Sequence, residues 1–260
     1  MTSGTATQRI RVEPLFDGAV WKVVLSAPKA NVLDTPMIDE LTDAFHRAAA
    51  EKDLKAVCIE GEGKHFSFGA SVEEHQPDQV ADMLDRFHGL FEAIHHASVP
   101  VLAAVRGQCL GGGLELAAFC HRVFASPDAM LGQPEIVLGV FAPVASVVLP
   151  ERIGRGPAED LCLSGRVLPA GEALQLGLVD EVTADPSAGA LAWAEQHLLP
   201  RSAASLRCAT QAVRRGFMRR FREEIVDLTN VYLDELMTTD DAKEGIAAFL
   251  EKRAPVWRNA

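Results

Sequence analysis

The segment Leu110-Gly111-Gly112-Gly113-Leu114-Glu115-Leu116 decides the fold prediction, and Gly132-Gln133-Pro134-Glu135 follows it closely. Together they are expected to bring two carboxylates and an exposed peptide N–H to one site. Two carboxylates can transfer the protons that adding water to a double bond requires. A backbone N–H aimed at a carbonyl oxygen can stabilise the enolate formed on the way. The pattern therefore indicates a hydratase that acts on an activated carbonyl compound.

The glycine triplet lies between a predicted buried strand and a predicted helix start. Glycine lets the backbone approach a ligand closely, and the unpaired N–H groups of a first helical turn suit a developing oxyanion. A second donor would have to come from another loop. Phe68-Gly69-Ala70 is the best candidate, because it also joins a strand to a helix. A tight turn without chemistry is the alternative for such a cluster.

Glu115 and Glu135 each stand in an apolar stretch of sequence. Carboxylates are unusual in such surroundings unless they are paired or functional. Burial should raise both pKa values, and two nearby acids should push them apart, so that one acts as base while the other donates a proton. A helix cap or a buried ion pair is the alternative for either glutamate alone.

The composition favours a globular protein that binds a small molecule. The 260 residues suggest one α/β domain or a core with a short appendage, and 48% hydrophobic residues suffice for a core. A net charge of −11 disfavours nucleic acid and anionic membranes as partners. The local exception is a basic cluster: Arg214, Arg215, Arg219, Arg220 and Arg222. We expect it to be a solvated helix face, with a phosphate contact as the alternative.

Neither a metal site nor a nucleotide cofactor is expected. The five cysteines are scattered as in a reduced cytosolic protein, and Cys109 is expected to pack rather than to act as a nucleophile. His95 and His96 are adjacent on a helix and cannot converge on one ion. His65 and His75 could line a pocket, although a surface or core role is favoured. The sequence contains no GxGxxG, Walker or GxSxG motif.

A cytoplasmic protein without a membrane partner is expected. Residues 1–16 contain no apolar signal core. The longest uncharged run, Ile136 to Pro150, is too short and too interrupted to span a membrane.

Strands and helices alternate over the first two-thirds of the chain, which predicts an α/β fold of two-strand units followed by helices. Asp17-Gly18 predicts a hairpin turn, and Thr35 and Pro36 are predicted to open a helix. From Gly156 onward the pattern becomes mostly helical. The candidate helices are Pro169–Leu176, Ala188–Leu199, Ser202–Phe217, Arg219–Met237 and about Asp240–Lys252.

At this point the motifs resemble the enoyl-CoA hydratase/isomerase (crotonase) superfamily over nearly the whole chain. The segments that carry the resemblance are Lys29 to Leu33, Gly61 to Ser71, Leu110 to Glu115, Gln133 to Glu135 and Ala248 to Arg253. The resemblance implies a crotonase-like spiral of ββα units with a helical C-terminal trimerisation region. It implies a core with the acyl-CoA site in residues 1–195 and a region for oligomerisation and CoA contacts in residues 196–260. A homotrimer or a dimer of trimers is the implied assembly.

The resemblance also implies roles for individual residues. The oxyanion-hole N–H groups correspond to Ala70 and Gly112, and the two hydratase glutamates correspond to Glu115 and Glu135. The residues that correspond to coenzyme A contacts are Lys29, Phe249 and Lys252. In the family, the contacts near the C-terminus, here Phe249 and Lys252, often come from a neighbouring subunit. Coenzyme A is part of the acyl-CoA thioester substrate, so no separate cofactor is expected.

Two loops depart from the common family pattern. Phe68 and Ser71 replace a small residue and an acid of the usual Ala-Gly-Ala-Asp. The segment Ala142-Pro143-Val144-Ala145-Ser146 replaces a flexible Pro-Gly-Ala-Gly-Gly. The loss of three glycines should stiffen and reshape the acyl pocket.

Both loops resemble those of the hydratases of anaerobic aromatic degradation, which implies a flat cyclic acyl group. Candidate wall residues are Phe66, Phe68, Val140 and Phe141, and Ser71 and Gly111 are further expected substrate contacts. The implied reaction adds water to cyclohexa-1,5-diene-1-carbonyl-CoA and gives 6-hydroxycyclohex-1-ene-1-carbonyl-CoA. Glu115 is favoured as the base and Glu135 as the acid, with reversed or shared roles left open.

Two alternatives remain at this stage. One is ordinary hydration or double-bond isomerisation of a linear or cyclohexenyl acyl-CoA, and two retained glutamates favour hydration within that class. The other is a non-catalytic RNA-binding protein that uses the arginine cluster, which the net charge disfavours.

Overall fold

The fold begins with a hairpin that the turn sequence predicts. The structure is a computed structural model that describes residues 8–28 and 30–260. Strands β1 (Ile10–Leu15) and β2 (Val20–Leu25) pair antiparallel. Asp17 and Gly18 between them have φ angles of 54° and 87°, a left-handed conformation that glycine adopts readily. The predicted hairpin is confirmed.

Two sheets make up the β structure. The later strands are β3 (Ala56–Gly61), β4 (Val101–Val105), β5 (Gln108–Leu110), β6 (Arg122–Ala125), β7 (Met130–Gly132), β8 (Val167–Pro169) and β9 (Glu181–Val182). The main sheet has the order β1-β2-β3-β4-β6-β9 and is parallel after the first pair, while the second sheet has the order β5-β7-β8. Because the chain runs from β4 to β5 and from β6 to β7, each of these turns adds one strand to each sheet. The predicted spiral of two-strand units is confirmed.

Helices cover both faces of the main sheet. They are α1 (Thr35–Ala50), α2 (Val80–Ala97), α3 (Gly112–Phe119), α4 (Pro143–Ile153), α5 (Arg155–Ser164), α6 (Ala170–Gln175), α7 (Pro186–His197), α8 (Ala203–Asn230) and α9 (Asp240–Leu250). Short 3₁₀ helices cover Val72–His75, Pro134–Leu138 and Leu236–Thr238, and a π-helical turn covers Val231–Glu235. Successive residues of β3 point to opposite faces of the main sheet. Val57 and Ile59 pack into the larger core with α1 and α2. Ala56 and Cys58 pack on the other face with α7.

The cap of α1 lies one residue earlier than the sequence predicts. Asp34, rather than Thr35, accepts a hydrogen bond from the Met37 N–H at 3.1 Å. Thr35 is engaged elsewhere, because its N–H and hydroxyl both donate to the Glu74 carboxylate. Pro36 follows in the first turn, as predicted.

The C-terminal helices also differ from the prediction. The segments predicted as two helices, Ser202–Phe217 and Arg219–Met237, form the single helix α8 followed by the π-helical turn. Met218 and Phe221 are buried, and their packing outweighs the cost of Gly216 inside the helix, about 1 kcal/mol. Helix α4 was not predicted, because it is buried around most of its circumference and shows no amphipathic period.

The last helix packs against segments from earlier in the chain. Helix α9 packs against the 3₁₀ helices Val72–His75 and Pro134–Leu138.

The division of the chain into a core of residues 1–195 and a C-terminal region of residues 196–260 stays a prediction. Within residues 8–28 and 30–260, no helix is both long and apolar enough to cross a membrane.

Candidate active site

The glycine triplet and the loop Phe68-Gly69-Ala70 lie side by side. A Cβ added to Gly112 would lie 3.0 Å from Ala70 N, and one added to Gly69 would lie 3.2 Å from Gly112 N. The Leu110 N–H donates to the Ser67 carbonyl at 3.0 Å and holds the two segments in register. The structure thus brings the N–H groups of Ala70 and Gly112 together, and neither donates a hydrogen bond to another described residue. Two adjacent unpaired donors are the geometry that an oxyanion hole needs.

Glu115 is held by the start of helix α4. It lies in the first turn of α3, is 4% exposed, and its Oε1 accepts a hydrogen bond from the Ala145 N–H at 2.7 Å. Burial and the nearby charge of Glu135 raise the pKa of Glu115, and the N–H groups of Ala145 and Val144 partly offset that rise. The segment that replaces the family's glycine-rich loop therefore forms a helical turn around this carboxylate.

Glu135 comes from the 3₁₀ helix Pro134–Leu138 and is half-buried. Burial raises the pKa of Glu135, and its own backbone N–H and the side chain of Gln133 partly offset that rise. Its Oε2 is buried and has no hydrogen-bond partner among the described residues. A Cβ on Gly111 would lie 2.5 Å from Glu135 Oε1, and the φ of 52° at this position also favours glycine.

The two glutamates are coupled through their charges. Because the pKa of each is raised and they repel each other, the pair holds one proton over a range above the usual pKa of glutamate. One ionised and one protonated carboxyl group can act as base and acid in the same turnover. Their catalytic roles stay predictions.

A cavity of about 510 Å³, here called the site cavity, opens beside Glu135. Its wall includes these predicted site residues: Phe68, Ala70, Ser71, Gly111, Val140 and Phe249. Glu115 and Gly112 are buried and are not among the residues that line the cavity. Most of the remaining wall is apolar, which suits a hydrocarbon acyl group.

Some predicted contacts lie away from the site cavity. Phe66 is fully buried under the adjoining loop, and Phe141 packs edge-to-face on Tyr232 with ring centroids 5.2 Å apart, so neither forms the wall. Lys252 is exposed beyond the end of α9 and does not line the cavity of its own chain. Lys29 lies outside the described residues.

Three residues near the site were missed or misjudged from the sequence. His75 lines the site cavity, contrary to the favoured surface or core role. The amide of Gln133 is buried beside Glu135 and lowers the pKa of that carboxyl group, but within residues 8–28 and 30–260 neither amide atom has a partner in good hydrogen-bond geometry. The Ala145 N–H donates to Glu115. A polar residue next to a predicted catalytic acid was a usable signal for Gln133, whereas the contact from Ala145 depends on the tertiary placement of α4.

The arginine cluster is not a uniformly solvated face. Arg214 is half-buried and donates to the Phe119 carbonyl at 2.6 Å, and desolvation lowers its pKa to about 10. Arg220 and Arg222 pair with Glu151 and Glu92. Three of the five side chains are thus engaged within the protein, which leaves few of them for a polyanion.

The remaining reactive side chains show structural roles. The Cys109 thiol is buried against the Gly113 carbonyl, and burial raises its pKa well above the usual range, so packing explains it better than nucleophilic chemistry. Among the described parts of the chain, no group of His, Cys, Asp and Glu residues is arranged to hold a metal ion.

A two-sheet spiral that places two adjacent N–H donors near one buried and one half-buried glutamate is typical of the crotonase class of acyl-thioester proteins. Residues 16–260 match the family described as enoyl-CoA hydratase/isomerase, and the chain belongs to that family. The membership predicted from the motifs is confirmed.

The similar proteins are mainly hydratases. The chain is 48% identical over 243 residues to the cyclohexa-1,5-dienecarbonyl-CoA hydratase of Thauera aromatica, with 94% of each chain covered. It is 37% identical to a "Probable enoyl-CoA hydratase" of Mycobacterium leprae, covering 93% of this chain and 96% of the relative. The crystal structure of an enoyl-CoA hydratase from Mycobacterium avium subsp. paratuberculosis superposes with a TM-score of 0.83 at 27% identity, covering 96% and 98% of the two chains. The predicted crotonase fold is confirmed.

Proposed function

We propose that this protein hydrates cyclohexa-1,5-diene-1-carbonyl-CoA to 6-hydroxycyclohex-1-ene-1-carbonyl-CoA. The observation that carries the proposal is the 48% identity to the Thauera aromatica hydratase over 94% of both chains. The pair of glutamates with raised pKa values can exchange protons, and the largely apolar site cavity suits a hydrocarbon ring.

The bonding of the substrate dictates where water adds. Ring carbon 2 is the β carbon of the thioester, so hydroxide adds there and negative charge develops on the thioester oxygen. That charge is conjugated with the second double bond, so the proton adds at carbon 5 and a new double bond joins carbons 1 and 6. One water is consumed, and renumbering the ring gives the 6-hydroxycyclohex-1-ene product. The N–H groups of Ala70 and Gly112 would stabilise the oxyanion.

The glutamates would move the two protons. Glu115 accepts a proton from water, because the Ala145 N–H stabilises its ionised form. Glu135 donates a proton to the ring, because its Oε2 lacks a donor within the described ranges and so suits a protonated acid. In the reverse direction the same two groups exchange roles.

The site cavity would take the ring and the start of the CoA arm. Phe68 and Val140 would wall the ring, and Phe249 would lie toward the thioester arm. Lys29, Phe249 and Lys252 are proposed contacts of coenzyme A, the only cofactor-like group that this reaction needs. A cytoplasmic homotrimer or dimer of trimers is the proposed form, and sedimentation would test the assembly.

A side-by-side assay tests the substrate assignment. The protein is incubated with crotonyl-CoA and with cyclohexa-1,5-diene-1-carbonyl-CoA, and the hydrated products are followed by mass. Strong preference for the cyclic diene supports the proposal. Preference for crotonyl-CoA would support the second candidate, a linear enoyl-CoA hydratase, which the names of the 34–37% identical relatives favour.

RNA binding is the least supported function. The net charge is −11, and three arginines of the basic cluster are engaged within the protein. Salt-sensitive RNA binding without hydratase activity would contradict the enzymatic proposal.

A further inference from the structure

A histidine on the wall of the site cavity has one ring nitrogen fixed by the backbone. His75 ends the 3₁₀ helix Val72–His75, and its Nδ1 lies 2.7 Å from the Ser71 carbonyl oxygen. A carbonyl oxygen can only accept a hydrogen bond, so Nδ1 must carry a proton and donate it. In the neutral ring, Nε2 is therefore unprotonated.

This second nitrogen is available to a ligand. His75 lines the site cavity, and its Nε2 makes no hydrogen bond to any residue that the structure describes. Burial lowers the pKa of His75, and the bond to Ser71 offsets only part of that effect, so the ring is neutral near pH 7. Nε2 thus presents a lone pair that can accept a hydrogen bond.

Two sets of contacts hold the 3₁₀ helix that carries His75. The neighbouring Glu74 carboxylate accepts hydrogen bonds from the N–H and the hydroxyl of Thr35, both at 3.0 Å. Helix α9 packs against the same 3₁₀ helix. A side chain on such a supported segment is preorganised, so a ligand bound there loses little free energy in ordering it.

The surroundings of His75 indicate what kind of group it would bind. On the same cavity wall Val72, Leu110 and Ile246 are apolar, and the polar groups are the carboxyl groups of Glu73 and Glu135 and the Ser71 hydroxyl, which already donates to Glu73 at 3.2 Å. An acceptor left unpaired when a ligand excludes water costs free energy. The diene ring has no hydrogen-bond donor, whereas the hydrated ring carries a hydroxyl.

We propose that His75 Nε2 accepts a hydrogen bond from the ring hydroxyl of the hydrated acyl group, so that the site cavity binds the hydroxylated ring more tightly than the same ring without a hydroxyl. His75 is then a residue that determines specificity rather than one that moves protons. The proposal rests on the proposed function, because the hydroxylated ring is the product of that reaction.

Calorimetric titration of a protein that cannot turn the ligand over tests the proposal. In a Glu135→Gln background, the two ligands are 6-hydroxycyclohex-1-ene-1-carbonyl-CoA and cyclohex-1-ene-1-carbonyl-CoA. We expect the hydroxylated ring to bind about 3- to 10-fold more tightly, the value of one neutral hydrogen bond. Adding His75→Phe should abolish this ratio and leave binding of the ring without a hydroxyl unchanged. Adding His75→Gln should retain the ratio, because its amide can donate to Ser71 and still offer an oxygen.

Two results would overturn the proposal. The first is a ratio that survives His75→Phe or is absent before it. The second is an equal loss of affinity for both thioesters in His75→Phe, which would show that the ring only shapes the cavity. Turnover of the diene by the unaltered protein is measured separately, so failure of the proposed function is distinguishable from failure of this inference.

Discussion

Glu115 and Glu135 lie in the same region, the first buried and the second half-buried on the cavity wall, and they have different hydrogen-bond partners. Glu115 receives the Ala145 N–H, which stabilises a carboxylate. Glu135 Oε2 receives no donor from the described residues, and a buried oxygen without a donor is better protonated. This difference in partners supports the proposed roles of Glu115 as base and Glu135 as acid, which stay predictions, since burial raises the pKa of both and the charge of Glu135 raises that of Glu115 further.

Removing either carboxyl group should slow hydration strongly. Glu115→Gln and Glu135→Gln preserve shape but cannot exchange a proton, so kcat for the cyclic diene should fall by about 10²- to 10⁴-fold. Steady-state kinetics of the two variants measure the effect. Glu159→Gln, on the exposed face of α5, is the matched control and should keep kcat. Near-full activity in both site variants would show that the glutamates do not carry the reaction.

The same substitutions should stabilise the fold at alkaline pH. The folded pKa of each glutamate lies above its unfolded value, so folding is penalised as pH rises from the unfolded pKa through the folded one. Glutamine carries no such penalty, and each variant should gain on the order of 2 kcal/mol at pH 8, with little gain at pH 5. Urea unfolding at the two pH values measures this, and a pH-independent difference would contradict it.

The sequence predicted the residues whose type alone signals chemistry. Two glutamates in apolar stretches and a glycine triplet are local patterns, and the structure brings them to one region. The partner of Glu115 could not be predicted, because Ala145 acts through its backbone and lies thirty positions away. His75 was underestimated for a related reason, since its tautomer depends on the turn geometry at Ser71.

The start of α4 explains why the segment from Ala142 to Ser146 departs from the family pattern. Pro143 occupies the first helical position, where its fixed φ favours the turn and its missing N–H costs nothing. The following N–H groups are then directed toward Glu115, at the positive end of the helix dipole. A flexible glycine loop would hold these donors less rigidly. This element was missed from the sequence because a helix buried on most sides has no periodic pattern.

The turn between β5 and α3 must lie against the 3₁₀ helix Pro134–Leu138. Gly111 has φ of 52°, and an added Cβ would reach within 2.5 Å of Glu135 Oε1. Gly111→Ala should therefore displace the carboxylate and lower kcat by at least 10-fold, the effect of misplacing a proton-transfer group. The control is Gly89→Ala in α2, where a Cβ meets nothing within 4 Å, and which should keep kcat and gain up to about 1 kcal/mol of stability. Equal kinetics in the two variants would contradict the close approach.

The C-terminal helix α9 contributes residues to the site cavity. Ile246 and Phe249 of α9 line the site cavity together with residues from the first half of the chain. The ββα pattern predicted the sheets because each unit is local in sequence. The packing of α9 on two 3₁₀ helices was not predicted, because it joins segments more than a hundred residues apart.

Gly245 sets the distance between α9 and the segment that carries Glu135. A Cβ at this position would lie 2.0 Å from the Leu138 carbonyl oxygen, so Gly245→Ala should push α9 away and cost about 1–3 kcal/mol of stability through overpacking. Because the same segment bears Glu135 and α9 bears Phe249, kcat for the acyl-CoA should fall and its KM should rise.

Gly216→Ala in α8 is the control, since its Cβ meets only the Arg220 guanidinium at 3.8 Å, and it should gain stability without kinetic change. Thermal unfolding and steady-state kinetics of the two variants decide the matter. If Gly245→Ala lost stability but kept both kinetic constants, α9 would be a structural cover rather than a part of the active site.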